Sequence, residues 1–261
     1  MFSERTLGDA LDGVRASHAP GAVVLDCDRD FETLPATQAE DLGLLVDSLD
    51  PVSYPSDWVP AEAPEILHRY ASGEFTVGMP GDGGVAWTTQ TDPPVVVVKP
   101  RLEGSPEPFV DFLVATALVE LGLDEPEHFL GFFGEDYPDF HDAAGDLLDP
   151  VGVYQVAAAC YDAYRGLQTR DVFAGWSDEY PDLFDAWIDA GERLEPRLSG
   201  LNDSMARGQT DFSDAAELAC SAVKHAGEVP KPFNALDTET YRDHGAEYAV
   251  EWLSRTVDAL E

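Results

Sequence analysis

The chain has 261 residues, and its 51 acidic against 15 basic side chains give a formal net charge of −36 at neutral pH. With 44% apolar and 10% aromatic residues it holds ordinary core material, so this acidity does not signal disorder. No apolar run nears the ~18 residues of a membrane span, no basic patch marks a nucleic-acid surface, and the mixed-charge N-terminus MFSERTLGDALDGVRASHA lacks the apolar core of a signal peptide.

In dilute buffer a charge of this size strains a compact state by self-repulsion, which molar salt screens down to a range of roughly 3 Å. The expected setting is therefore a very salty cytoplasm. Lysine is reduced to Lys99, Lys224 and Lys231, while arginine persists, so each surviving base merits a question. Cys27, Cys160 and Cys220 are odd in number and far apart, which fits reduced thiols and neither a disulfide framework nor a zinc motif.

In chain order, Ser3–Ser17 places Leu7, Leu11 and Val14 on one helical face, and Ala22–Asp26 reads as a buried strand. Thr37 is expected to cap a helix with Leu42, Leu45 and Val46 inward. A proline-rich stretch (Pro51, Pro55, Pro60, Pro64) then leads into a short helix at Glu65–Ala71. Two strand-like runs flank Gly81-Asp82-Gly83-Gly84, which reads as a hairpin turn, and Val95–Leu102 supplies a third strand. From Ser105 onward the pattern is helical. Ser105-Pro106 and Asp149-Pro150 are helix starts, Pro196 is expected to end the helix through Trp187, Asp211 or Ser213 caps the next, and a last helix runs from about Asp237. The expected fold is α+β: residues 1–148 hold a small, mostly antiparallel sheet, residues 149–261 a helical bundle, and the two halves pack as one unit.

Several motifs fail on context. Asp26-Cys27-Asp28-Arg29-Asp30 after a strand is similar to the first motif of haloacid-dehalogenase-like phosphatases, with Gly81-Asp82-Gly83-Gly84 imitating their magnesium loop. Those enzymes need a lysine between the two motifs, and Lys99 follows both. As a calcium loop the same aspartates would need glycine at Phe31 and glutamate at Thr37. GMPGDGG runs into a second strand rather than a helix, unlike a phosphate loop. The six histidines form no i,i+4 pair and no Cys/His cluster, so neither a metal nor any other cofactor is indicated.

The scarce bases remain. On one strand, Lys99 and Arg101 would share a sheet face, where two cations want an anion nearby. Arg165, Arg170, Lys224 and His225 join them as candidate anion contacts, near Tyr161, Tyr164 and Trp176. The alternative for all six is internal: carboxylate partners and compensation of helix dipoles. The aromatics Phe129, Phe132, Phe133, Tyr137 and Phe140 read as core filling, or else as a pocket wall.

The stretches FTVGMPGDGGVAWTTQTDPPVVVVKPRLEGSPEPFVDFL, EHFLGFFGEDY, YQVAAACYDAYRGLQTRDVFAGW and ELACSAVKHA resemble a family of uncharacterised haloarchaeal proteins. That resemblance implies a halophilic archaeal cytosol and brings no activity with it. The leading expectation is a non-catalytic binding or regulatory module for a protein or small anionic partner, with no nucleic acid or membrane. An enzyme using Asp26, Asp28 or Asp82 with Lys99, and a structural subunit of a larger assembly, are the alternatives.

Overall fold

The computed structural model describes residues 2–78, 83–145 and 147–260. The chain opens with β1 (Phe2–Glu4), α1 (Asp9–His18), β2 (Val23–Cys27), α2 (Ala36–Gly43), β3 (Ser48–Leu49) and α3 (Glu65–Ala71). Then come β4 (Val85–Thr88), β5 (Thr91–Asp92), β6 (Val95–Val98) and α4 (Glu107–Leu121). Helices complete it: α5 (Phe129–Phe133), α6 (Tyr137–Ala143), α7 (Pro150–Ala174), α8 (Pro181–Ser199), α9 (Leu201–Ala206), α10 (Phe212–Ser221) and α11 (Glu239–Leu260). The class is α+β, with the sheet in the N-terminal half. Among the described residues no helix is long and apolar enough to cross a membrane.

The chain divides into two compact units. The first comprises residues 1–54, 69–127 and 180–186 and holds a four-stranded sheet of order β1-β2-β6-β4. The β2–β6 pair is parallel and its two flanking pairs are antiparallel. All four valines of β6 are buried, as a central strand covered on both faces requires. Leu25, Cys27, Ala86, Val95 and Val97 form one face, packed with Phe31, Leu34, Leu42 and Val77. On the other, Trp87 donates its indole N–H to the buried Glu120 carboxylate of α4 at 2.9 Å. Helices α1 and α4 approach so closely that a Cβ on Gly122 would lie 2.4 Å from the His18 carbonyl oxygen.

A second knot fixes the turn after β4. The Glu127 carboxylate accepts from the Thr88 hydroxyl (2.8 Å), the Thr89 backbone N–H (3.0 Å) and the Gln90 amide (3.0 Å). Gln90 also donates to the Thr76 carbonyl and accepts from the Val52 N–H, which satisfies its buried amide.

The second unit comprises residues 55–68, 128–179 and 187–261 and is helical. Its axis is α7, buried over most of its circumference, as a central helix must be. The expected start holds: the Asp149 side chain accepts from the Gly152 N–H at 2.7 Å, with Pro150 beginning the helix. Phe129, Phe133, Tyr137 and Phe140 are buried in mutual ring contact, so these aromatics fill the core. Asp211 caps α10 by accepting from Asp214 N–H, and the Tyr241 hydroxyl of α11 donates to the Cys160 carbonyl of α7. Helix α11 breaks at Gly245, whose φ of 48° lies in the left-handed region.

Four expectations are corrected. Phe2–Glu4 is a strand rather than part of the first helix, because β2 offers it a free antiparallel edge. β4 pairs with β6, not with the Phe75 run, which forms no strand over Phe75–Gly78; Met79–Asp82, including half of the expected turn, lie outside the described residues. On α2, Pro35 rather than Thr37 precedes the helix, and Leu42 is buried while Leu45 is half exposed. Helix α8 continues through Pro196 to Ser199. Pro196 leaves the Glu192 carbonyl without its helical N–H partner, and the added turn buries Leu198.

Candidate functional site

The strand carrying Lys99 ends at Val98, since Pro100 has no N–H for a further ladder bond. Arg101 falls in a 3₁₀ turn (Pro100–Leu102), where residues two apart no longer share a face. Lys99 therefore points inward, 1% exposed, with Nζ 4.7 Å from the centre of the Phe31 ring. Arg101 points outward and is fully engaged. It donates from Nε to both Asp30 oxygens at 2.9 Å and from Nη2 to Glu32 at 2.8 Å and the Phe31 carbonyl at 3.1 Å. The Arg101 guanidinium beside Asp30 holds that carboxyl below its ordinary range.

Among the aspartates of the phosphatase-like motif, Asp30 is thus committed to Arg101, and Asp26 to Arg5 at 2.6 Å. Asp82 lies outside the described residues. The three thiols are free and buried, and burial pushes Cys27, Cys160 and Cys220 upward in pKa, away from nucleophilic use.

The remaining candidate bases sit in the helical unit. Asp162 gathers Arg165 (3.7 Å) and Lys224 (3.8 Å), while Arg170 pairs with Asp237. The Arg165 guanidinium also lies 4.9 Å over the Tyr161 ring. His225 is locked in a reciprocal pair: its Nδ1 donates to the Trp187 carbonyl at 3.0 Å, and the Trp187 indole donates to the Lys224 carbonyl at 2.8 Å. Burial, then the Lys224 charge, pushes His225 down to about 4. His128 is fully buried and caps α5 by accepting at Nδ1 from the Leu130 N–H; burial and Arg165 push it down to about 3. Arg165, Lys224 and His225 thus lie together around Asp162 and Trp187, and Arg170 is tied to a different carboxylate.

Two open cavities lie on this unit. One, of about 440 Å³, runs between the Lys231-Pro232 turn and the last turns of α11. Its wall is apolar, built from Pro232, Ala235, Trp252 and Leu260 with the Tyr248 ring, and the Trp252 indole is anchored to the Pro232 carbonyl at 3.1 Å. Lys231 and Arg255 stand on its rim, and none of its nine lining residues is acidic although 51 of the chain's 261 residues are. Arg255 is paired with Glu251 one turn back, whereas Lys231 is exposed and has no carboxylate within ion-pair distance among the described residues. Leu260 beside it is 55% exposed.

The other cavity, of about 590 Å³, is enclosed by the end of α8, by α9 and by α10, and it mixes both charges with hydroxyls. Sequence reasoning did not assemble either cavity. The only signal for the first was Lys231 itself, one of three lysines and flanked by prolines.

A family of unknown function (DUF7089) matches residues 1–260, so the chain belongs to that family. No curated protein and no solved structure matches the chain.

Proposed function

We propose that the chain is a non-catalytic binding module that takes a small anionic ligand in the cleft between Lys231-Pro232 and the end of α11, and that it works in a cytoplasm rich in salt. The observation that carries this reading is the cleft's charge pattern. A cleft whose lining residues include no acid, in a chain of net charge −36, repels an anion less than an acid-lined surface would. Lys231 contributes an uncommitted ammonium there, and Arg255 a second cation shared with Glu251. The apolar wall around Trp252 suits a ligand with a hydrocarbon or aryl body, and 440 Å³ lies within the usual range of small-molecule sites.

Octanoate and octanol separate the two contributions. Titrated calorimetrically at the lowest KCl that keeps the chain folded, octanoate is expected to bind more tightly than octanol. Lys231→Ala is expected to weaken octanoate about fivefold or more and leave octanol unchanged. Leu260→Asp places an acid in the cleft on an exposed side chain and is expected to weaken octanoate as well. Equal octanoate heats for wild type and both variants would refute the reading.

A further inference from the structure

The second cavity holds opposite charges that do not meet. Arg197 from α8 lines it together with Asp214 and Glu217 from α10, yet among the described residues Arg197 makes no ion pair, and neither carboxylate does. Asp214 and Glu217 are three apart on one helix and so share a face, where like charges repel. Burial first, and then Asp214 and Asp162, raise the Glu217 carboxyl above its ordinary range, while Arg197 acts in the opposite sense without reaching contact. Leu194, Leu201 and Leu218 supply apolar wall. The Ser204 and Thr210 hydroxyls bond each other at 2.6 Å, and Ser221 donates to the Leu218 carbonyl, so all three oxygens keep acceptor capacity toward the cavity.

A lone anion in this cavity would gain Arg197 and face two carboxylates. A lone cation would gain the carboxylates and face the guanidinium. A group carrying both charges a few ångströms apart satisfies all three: its carboxylate takes the guanidinium fork, its ammonium takes Asp214 and Glu217, and an apolar side chain lies on the leucines. We infer that this cavity, separate from the Lys231 cleft, binds a free α-amino acid with an apolar side chain.

L-Leucine is the probe, with leucinamide and 4-methylpentanoate as analogues that keep only one of its charges. Leucine is expected to bind saturably in calorimetry or by amide chemical-shift changes on α8 and α10, and each analogue about tenfold more weakly. Arg197→Gln should cost leucine about tenfold in affinity and should not weaken leucinamide, which loses a repelling guanidinium. Glu217→Gln should cost leucine and leucinamide alike and should not weaken 4-methylpentanoate, which loses a repelling carboxylate. All of these side chains are exposed, and unchanged unfolding midpoints would show that the fold is intact. Absence of saturable leucine binding, leucinamide binding as tightly as leucine, or equal losses for every ligand in both variants would each overturn the inference.

Discussion

Acidification from about pH 8 to about pH 5 is expected to destabilise the helical unit through two buried histidines. His128 is pushed down to about 3 and His225 to about 4, from an unfolded value of 6.5. In this window the unfolded chain takes up protons that the folded chain refuses. Stability is therefore full above the unfolded value and is lost as pH falls toward the folded ones. At about pH 5 each site has lost about 2 kcal/mol, about 4 for the pair. The physical reason at His128 is specific: Nδ1 accepts from the Leu130 N–H, and a proton there would remove the cap and set a cation at a helix N-terminus. His18, lowered by burial, adds in the same direction. Asp111, Asp136 and Glu217 are raised, chiefly by burial, and act in the opposite sense. Urea unfolding followed by tryptophan fluorescence at about 2 M KCl would show the midpoint falling by about 1 M or more across the window. His128→Asn keeps a capping side chain that does not titrate, so it should remove about half of the pH-dependent loss. A midpoint that stays flat between these pH values, or a His128→Asn variant with the full slope, would refute the assignment of neutral, buried imidazoles.

Gly122→Ala drives a methyl against the His18 carbonyl and is expected to cost about 1–3 kcal/mol, read as a lower unfolding midpoint. Glu127→Ala removes the acceptor shared by Thr88, Thr89 and Gln90 and should cost about 2–3 kcal/mol, with Glu127→Gln milder because one acceptor oxygen survives. Lowering KCl from about 2 M to about 0.15 M lengthens the screening range to roughly 8 Å. Against a net charge of −36, this should lower the thermal midpoint by about 10 °C. An unchanged melting curve in dilute salt would remove the salt-adapted reading.

The α+β class and most helix starts were legible because they rest on local chemistry: Asp149-Pro150, Asp211 and the all-apolar Val95–Val98 each declare themselves within a few residues. What escaped depended on remote partners. Phe2–Glu4 is a strand only because β2 has an open edge, and Ala86 pairs with Val97 rather than with the nearer Phe75 run. The shared face expected for Lys99 and Arg101 failed at one residue, Pro100, which ended the strand and sent the two cations opposite ways. Scarcity of lysine draws attention to the surviving bases, but nothing in the sequence joins Lys231 to Trp252 and Leu260 of α11, some twenty and more residues on. Likewise Arg197 and Glu217 belong to different helices, and only the fold puts both on one cavity.

An anion held at the Lys231 cleft is tested most directly by the affinity ratio of octanoate to octanol in wild type and Lys231→Ala. The ratio is expected to be about five or more in wild type and to fall toward one in the variant. A ratio unchanged by the substitution would contradict it.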